Sequence, residues 1–187
     1  MPKLIAALLI LAMLQGCVSR QVLTLQSLAL PRGEHGPCCW QATQEVGIHY
    51  NREQYHMVAV VAFTENGFSL VLLGPLGQRM FSVQEAQGRL NTFRSPNLPE
   101  EFPQHLLLAL HYLSWWPENT WKLIAPWRVE RQGLLTAVSY DHKTIVTITH
   151  HLNMPQSHQS HIGEQVIIQH QLLNFTMTIT TRQWQAL

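Results

Sequence analysis

Three kinds of side chain in this sequence are capable of covalent or metal chemistry. The thiols are Cys17, Cys38 and Cys39. Three cysteines are too few for a disulfide scaffold, and the Cys-x-x-Cys spacing of a redox pair is absent. Adjacent cysteines such as Cys38 and Cys39 seldom join to each other, so a free thiol buried beside Trp40 is the plainer expectation. The imidazoles are more numerous. Of eleven histidines, His150, His151, His158 and His161 fall in or beside one polar loop. Neutral imidazole is a common metal ligand. Yet the chain has no His-Glu-x-x-His, and the loop Asn153–Gly163 contains no Cys, Asp or Glu. A solvated loop without a metal is therefore expected. A serine nucleophile would need a Gly-x-Ser-x-Gly elbow, which does not occur, and the sole aspartate is Asp141. The expectation is a protein that is not an enzyme and holds no cofactor.

Cys17 differs because of what precedes it. Lys3 puts a positive charge near the start, and Leu4–Leu14 is an unbroken apolar run. As a helix the run would reach about 16 Å at about 1.5 Å per residue, short of the roughly 30 Å of a bilayer core. A charged start, a short apolar run and then small residues describe a secretory signal peptide. Leu14-Gln15-Gly16-Cys17 resembles the bacterial lipoprotein cleavage site, the lipobox. That resemblance implies thioether attachment of diacylglycerol to Cys17, cleavage before it and acylation of the new amine. One acyl chain holds a protein to a membrane only marginally, whereas two or more anchor it stably. Val18, rather than Asp, follows the cysteine, which by the same resemblance implies the outer membrane, with the body facing the periplasm. The expected organisation is a signal peptide over 1–16, a lipidated Cys17 with its tether over 17–36, and one domain over 37–187.

Composition narrows the partners. Charged residues are 12% of the chain and hydrophobic residues 46%, enough to build a core. The formal charge of +1 falls to zero once Lys3 is removed. No basic excess exists to neutralise phosphates, so no nucleic-acid partner is expected.

The body reads as antiparallel strands around one helical block. Trp40 to Tyr50 alternates with a period of two, as a half-buried strand does. Tyr55–Phe63 is apolar on both faces, and Glu65-Asn66-Gly67 marks a hairpin into Phe68–Leu73. Gly74-Pro75-Leu76-Gly77 is a second turn, leading to Gln78–Gln84 and then Gly88–Phe93. After three prolines, the Leu106–Trp116 stretch predicts a helix of about twelve residues stopped by Pro117. Strands return at Trp127–Arg131, Leu134–Tyr140, Thr144–His150, Val166–Leu172 and Leu173–Ile179. Nine or ten strands are expected. A sheet of that size twists and curls or closes, leaving the helices the concave face.

The lipobox, the Leu70–Phe81 hairpin, the leucine stretch Leu106–Trp121 and the paired strands of Val166–Thr180 together resemble the LolB-like outer-membrane lipoproteins. The nearest likeness is to a smaller LolB-like family often encoded beside aryl-polyene and fatty-acid-synthase-like genes. The resemblance implies a mainly β (α+β) fold: a curved antiparallel half-barrel of about eleven strands, LolA/LolB-like, with helices on the concave side. It implies an apolar cavity for acyl chains or lipid-modified cargo, a possible LolA-like periplasmic carrier as donor, and delivery to the outer membrane. In LolB a leucine on a Pro-Leu-Gly hairpin tip touches the membrane, and the matching positions here are Pro75 and Leu76. The candidate cavity lining is Leu106, Leu110, Leu113, Trp115 and Trp116, with Val58 and Val60 on the strand. Two bland readings stand beside these: an incidental exposed leucine at 76, and plain core packing for the leucine helix. A non-catalytic accessory or scaffold lipoprotein of an envelope assembly is the alternative function.

Overall fold

The computed structural model describes residues 38–65, 67–86, 89–98, 102, 109, 111, 114–115, 123, 125–151 and 162–187. The signal peptide, Cys17 and its tether lie outside the described residues. So do Leu106, Leu110, Leu113, Trp116, His158 and His161.

Ten strands follow one another: β1 (Trp40–Tyr50), β2 (Glu53–Thr64), β3 (Gly67–Leu73), β4 (Arg79–Ala86), β5 (Arg89–Arg94), β6 (Trp127–Gln132), β7 (Leu135–Tyr140), β8 (Lys143–His151), β9 (Gln165–His170) and β10 (Phe175–Ala186). They form one curved, open antiparallel sheet in the order β5-β4-β3-β2-β1-β10-β9-β8-β7-β6. The first and last strands therefore pair in the middle, with Trp40 opposite Ala186 and Tyr50 opposite Phe175. Two five-strand meanders spread from that seam. The turns match their residues. Asn51-Arg52 and Asp141-His142 both take left-handed backbone angles, as tight two-residue hairpins require.

Strand period decides the two faces. On β1, Trp40, Ala42, Gln44, Val46 and Ile48 are buried while the intervening residues face out. On β2 the buried set is Met57, Ala59, Val61 and Phe63. On β10 Phe175, Met177 and Ile179 point inward, and Thr176, Thr178 and Thr180 outward. Pairing aligns these sets across the seam, as in Val46 with Met57 on one side and Ile179 on the other. A bulge between Thr43 and Gln44 leaves Arg182 as the extra residue of β10.

What buries the inner face follows from chain connectivity. Strand β5 is one edge and β6 the other, so the chain from 95 to 126 must pass from edge to edge. Ser95, Leu98, Phe102, Ala109, His111 and Ser114 of this connection are buried. Phe102 meets Tyr55 edge-on at 5.4 Å, and Trp115 meets Trp40 at 5.3 Å, both on the inner face. Ala109, His111, Ser114 and Trp115 have helical backbone. The expected helical block is not seen as an element among the described residues, and the described fold is almost wholly β.

The inner face ends in an aromatic cluster: Trp40 lies 4.5 Å and Phe68 4.9 Å from Phe63, ring centre to ring centre. Phe63→Ala is expected to cost about 3–5 kcal/mol through lost burial and a residual cavity, read as a lower urea midpoint at unchanged slope.

Candidate functional site

Hairpin β3–β4 carries Gly74–Gln78 at one end of the sheet. Gly74 N–H donates to the Gln78 carbonyl at 2.9 Å, and Gly77 N–H to the Gly74 carbonyl at 2.9 Å. Leu76 N–H donates to Gln78 Oε1 at 3.0 Å. Gly77 sits at φ 75°, where a β-carbon would be strained. Pro75 fixes its own φ by its ring. These constraints hold Leu76 outward, 92% exposed. A fixed leucine in water is the unusual feature, since the turn could carry a polar residue at no structural cost.

Beside this tip an open groove of about 470 Å³ runs over the outer face of β2, β1 and β10, with Gly47, His49, His56, Val58 and Pro75 in its lining. Its floor exists because Gly47 has no side chain, and a β-carbon there would meet only open space. Gly47 lies between His56 and Thr178 in the ladder. Val58 is 37% exposed in the groove wall, and Val60, half-buried, shares its face.

The proposed cavity lining is thus split between two faces. Trp115 packs on the inner face, whereas Val58 and Val60 point outward, away from it. Both faces of β2 are apolar, so sequence alone could not assign them. The structure brings Val58 together with Pro75 and places Leu76 on the same hairpin.

Glu45, also in the groove wall, receives a 2.7 Å hydrogen bond from Arg182 Nη2 across the seam. That bond, with the nearby positive charge, holds the Glu45 carboxyl below its ordinary pKa. A depressed folded-state pKa gives a contribution present above the unfolded pKa and lost as pH falls through the folded one. In Arg182→Gln, Glu45 is expected to titrate nearer the ordinary glutamate range, as followed by its carboxyl carbon chemical shift in NMR.

His150 lies on β8, as the expected strand Thr144–His150 has it, and is buried. It points inward, with Nδ1 2.8 Å from Glu164 Oε1, and both side chains are buried. Sequence reading missed Glu164 because a polar loop separates the partners. Beyond Glu164 the ladder continues through Thr181 N–H to the Glu164 carbonyl at 3.0 Å. Gln44 Nε2 donates to Thr181 Oγ1 at 3.3 Å. A polar row therefore runs from β8 through Glu164, the residue before β9, to β10 and β1 inside an apolar face. Among the described residues, no group of three or more His, Cys, Asp or Glu side chains is placed to hold a metal ion. Glu164→Ala, which strands the buried imidazole, is expected to cost about 1–3 kcal/mol, measured by denaturant unfolding.

One further expectation changes. Cys38 and Cys39 are joined to each other by a disulfide, so the free thiol beside Trp40 is not found. Asp141 is an exposed residue of the β7–β8 turn, a position explained by hairpin geometry.

Fold and tip together define an open, curved antiparallel half-barrel with a projecting apolar hairpin. The sequence signature of a family described as "Protein of unknown function (DUF3261)" matches residues 41–183, which takes in the sheet from β1 into β10. The chain belongs to that family. No curated protein matches it.

Proposed function

We propose that this chain is a LolB-like lipoprotein, anchored in the outer membrane through lipid on Cys17, that binds acyl chains or lipid-modified cargo and assists its delivery to that membrane. On this reading helices of the 95–126 connection cover the concave face, and a LolA-like periplasmic carrier is the donor. No covalent chemistry is involved; transfer is driven by apolar burial.

The observation that carries the reading is Leu76, held almost fully in water by a hydrogen-bonded tip beside an outer-face groove. Burying a leucine side chain gains about 1.5–3 kcal/mol, or roughly 10- to 100-fold in partition. A tip of this kind gives a membrane something to grip without unfolding the sheet.

The scaffold reading has its own support. Ile48, Leu70, Leu72, Ile148, Ile168 and Met177 are fully buried on the inner face, as in an interior filled by its own side chains.

The two readings separate in two measurements. In a chain begun at Val18, which lacks both the apolar leader and the lipidated Cys17, Leu76→Glu is expected to lower co-sedimentation with phospholipid vesicles about tenfold or more while leaving the melting temperature unchanged. Organic extracts of protein purified without detergent are expected to contain a stoichiometric acyl species by mass spectrometry. Undiminished vesicle binding by the glutamate variant, together with an extract free of acyl species, would leave the scaffold.

A further inference from the structure

Strand β5 is unlike the other nine. All six of its residues, Arg89 to Arg94, are exposed, so it packs neither face. It is also a sheet edge. One side of its backbone pairs with β4, and no described strand pairs with the other. An edge of this kind offers alternating N–H and C=O groups to an added strand.

The register fixes what side chains such a strand would meet. Leu90, Thr92 and Arg94 lie opposite Glu85, Val83 and Phe81 and so continue the inner face; Arg89, Asn91 and Phe93 continue the outer one. On the outer face, Arg89 stands at one end. At the other end Arg79 of β4 lies 3.9 Å over the Phe93 ring. The positions of Arg89 and Phe93 differ by four residues, about 13 Å along a strand. Arg79 and Phe93 line an open groove of about 390 Å³ over β3, β4 and β5, with Ser69, Ser82, Asn91 and Thr92 also in its lining. The only acidic residue of β3, β4 and β5 is Glu85, buried on the other face. The outer side of this edge is therefore cationic at two points about 13 Å apart, and the groove that Arg79 lines has no acidic side chain in its lining.

We propose that β5 is a docking edge for an extended acidic segment of a partner protein, which adds as an eleventh strand and sets carboxylates four residues apart against Arg89 and Arg79. Charged side chains on a sheet edge also serve to discourage pairing. A guarding edge, however, has no need to leave Leu90 and Phe93 49% and 38% exposed.

The test uses the full chain in a zwitterionic detergent and a fluorescein-labelled peptide, acetyl-Thr-Glu-Val-Ser-Val-Glu-Thr-amide, followed by fluorescence anisotropy. Saturable binding is expected, with protection of β5 amides from hydrogen exchange. Arg89→Glu is expected to weaken it at least tenfold, and replacing by lysine only the one peptide glutamate that meets position 89 is expected to restore binding to that variant. Peptides N-methylated at alternate residues, in both registers, bear on the backbone without altering the protein. At least one register should lose binding, because one edge of the peptide must donate to β5. Equal binding of both methylated peptides, no preference for the acidic peptide over the lysine one, or no rescue of Arg89→Glu would each overturn the proposal.

Discussion

An open sheet with one apolar face must have that face covered, and here the cover is supplied by the chain's own route. β5 and β6 are opposite edges, and of the residues between them Phe102 and Trp115 pack against Tyr55 and Trp40 on the inner side. Burial of the inner face is the largest favourable contribution the described fold displays. It depends on a segment that belongs to neither meander. The seam between β1 and β10 keeps the two meanders in register, so that inward residues on both sides face the same cover.

The same arrangement frees the opposite surface for other uses. Nothing in the core requires Gly47, Val58 or Leu76 to be apolar or small, since all three lie on the outer face or at the tip. The buried polar row of His150, Glu164, Thr181 and Gln44 works in the other direction. It lies within the apolar face and ties β8, β10 and β1 through groups that lose energy if separated.

Much of this was legible from the residues. Period-two alternation and glycine-centred or asparagine-containing turns placed all ten strands, because antiparallel meanders leave both signals locally. The end of β10 was missed: beyond Thr181 the bulge at Arg182 breaks the alternation, and Gln183 and Gln185 have no apolar signature. The facing of Val58 against Met57 was illegible because a doubly apolar strand fits either way. The His150–Glu164 pair was illegible for a different reason, since it depends on β8 and β9 meeting across a loop whose composition suggests only solvation. Leu76 stood out at once, because an apolar residue between a proline and a glycine has no neighbours of its own to pack on.

The seam also governs when the fold becomes complete. The strands that join the two meanders, β1 and β10, are the first and last of the ten described strands. Contacts so distant along the chain form late and slowly. Until β1 and β10 meet, each half presents an unpaired edge.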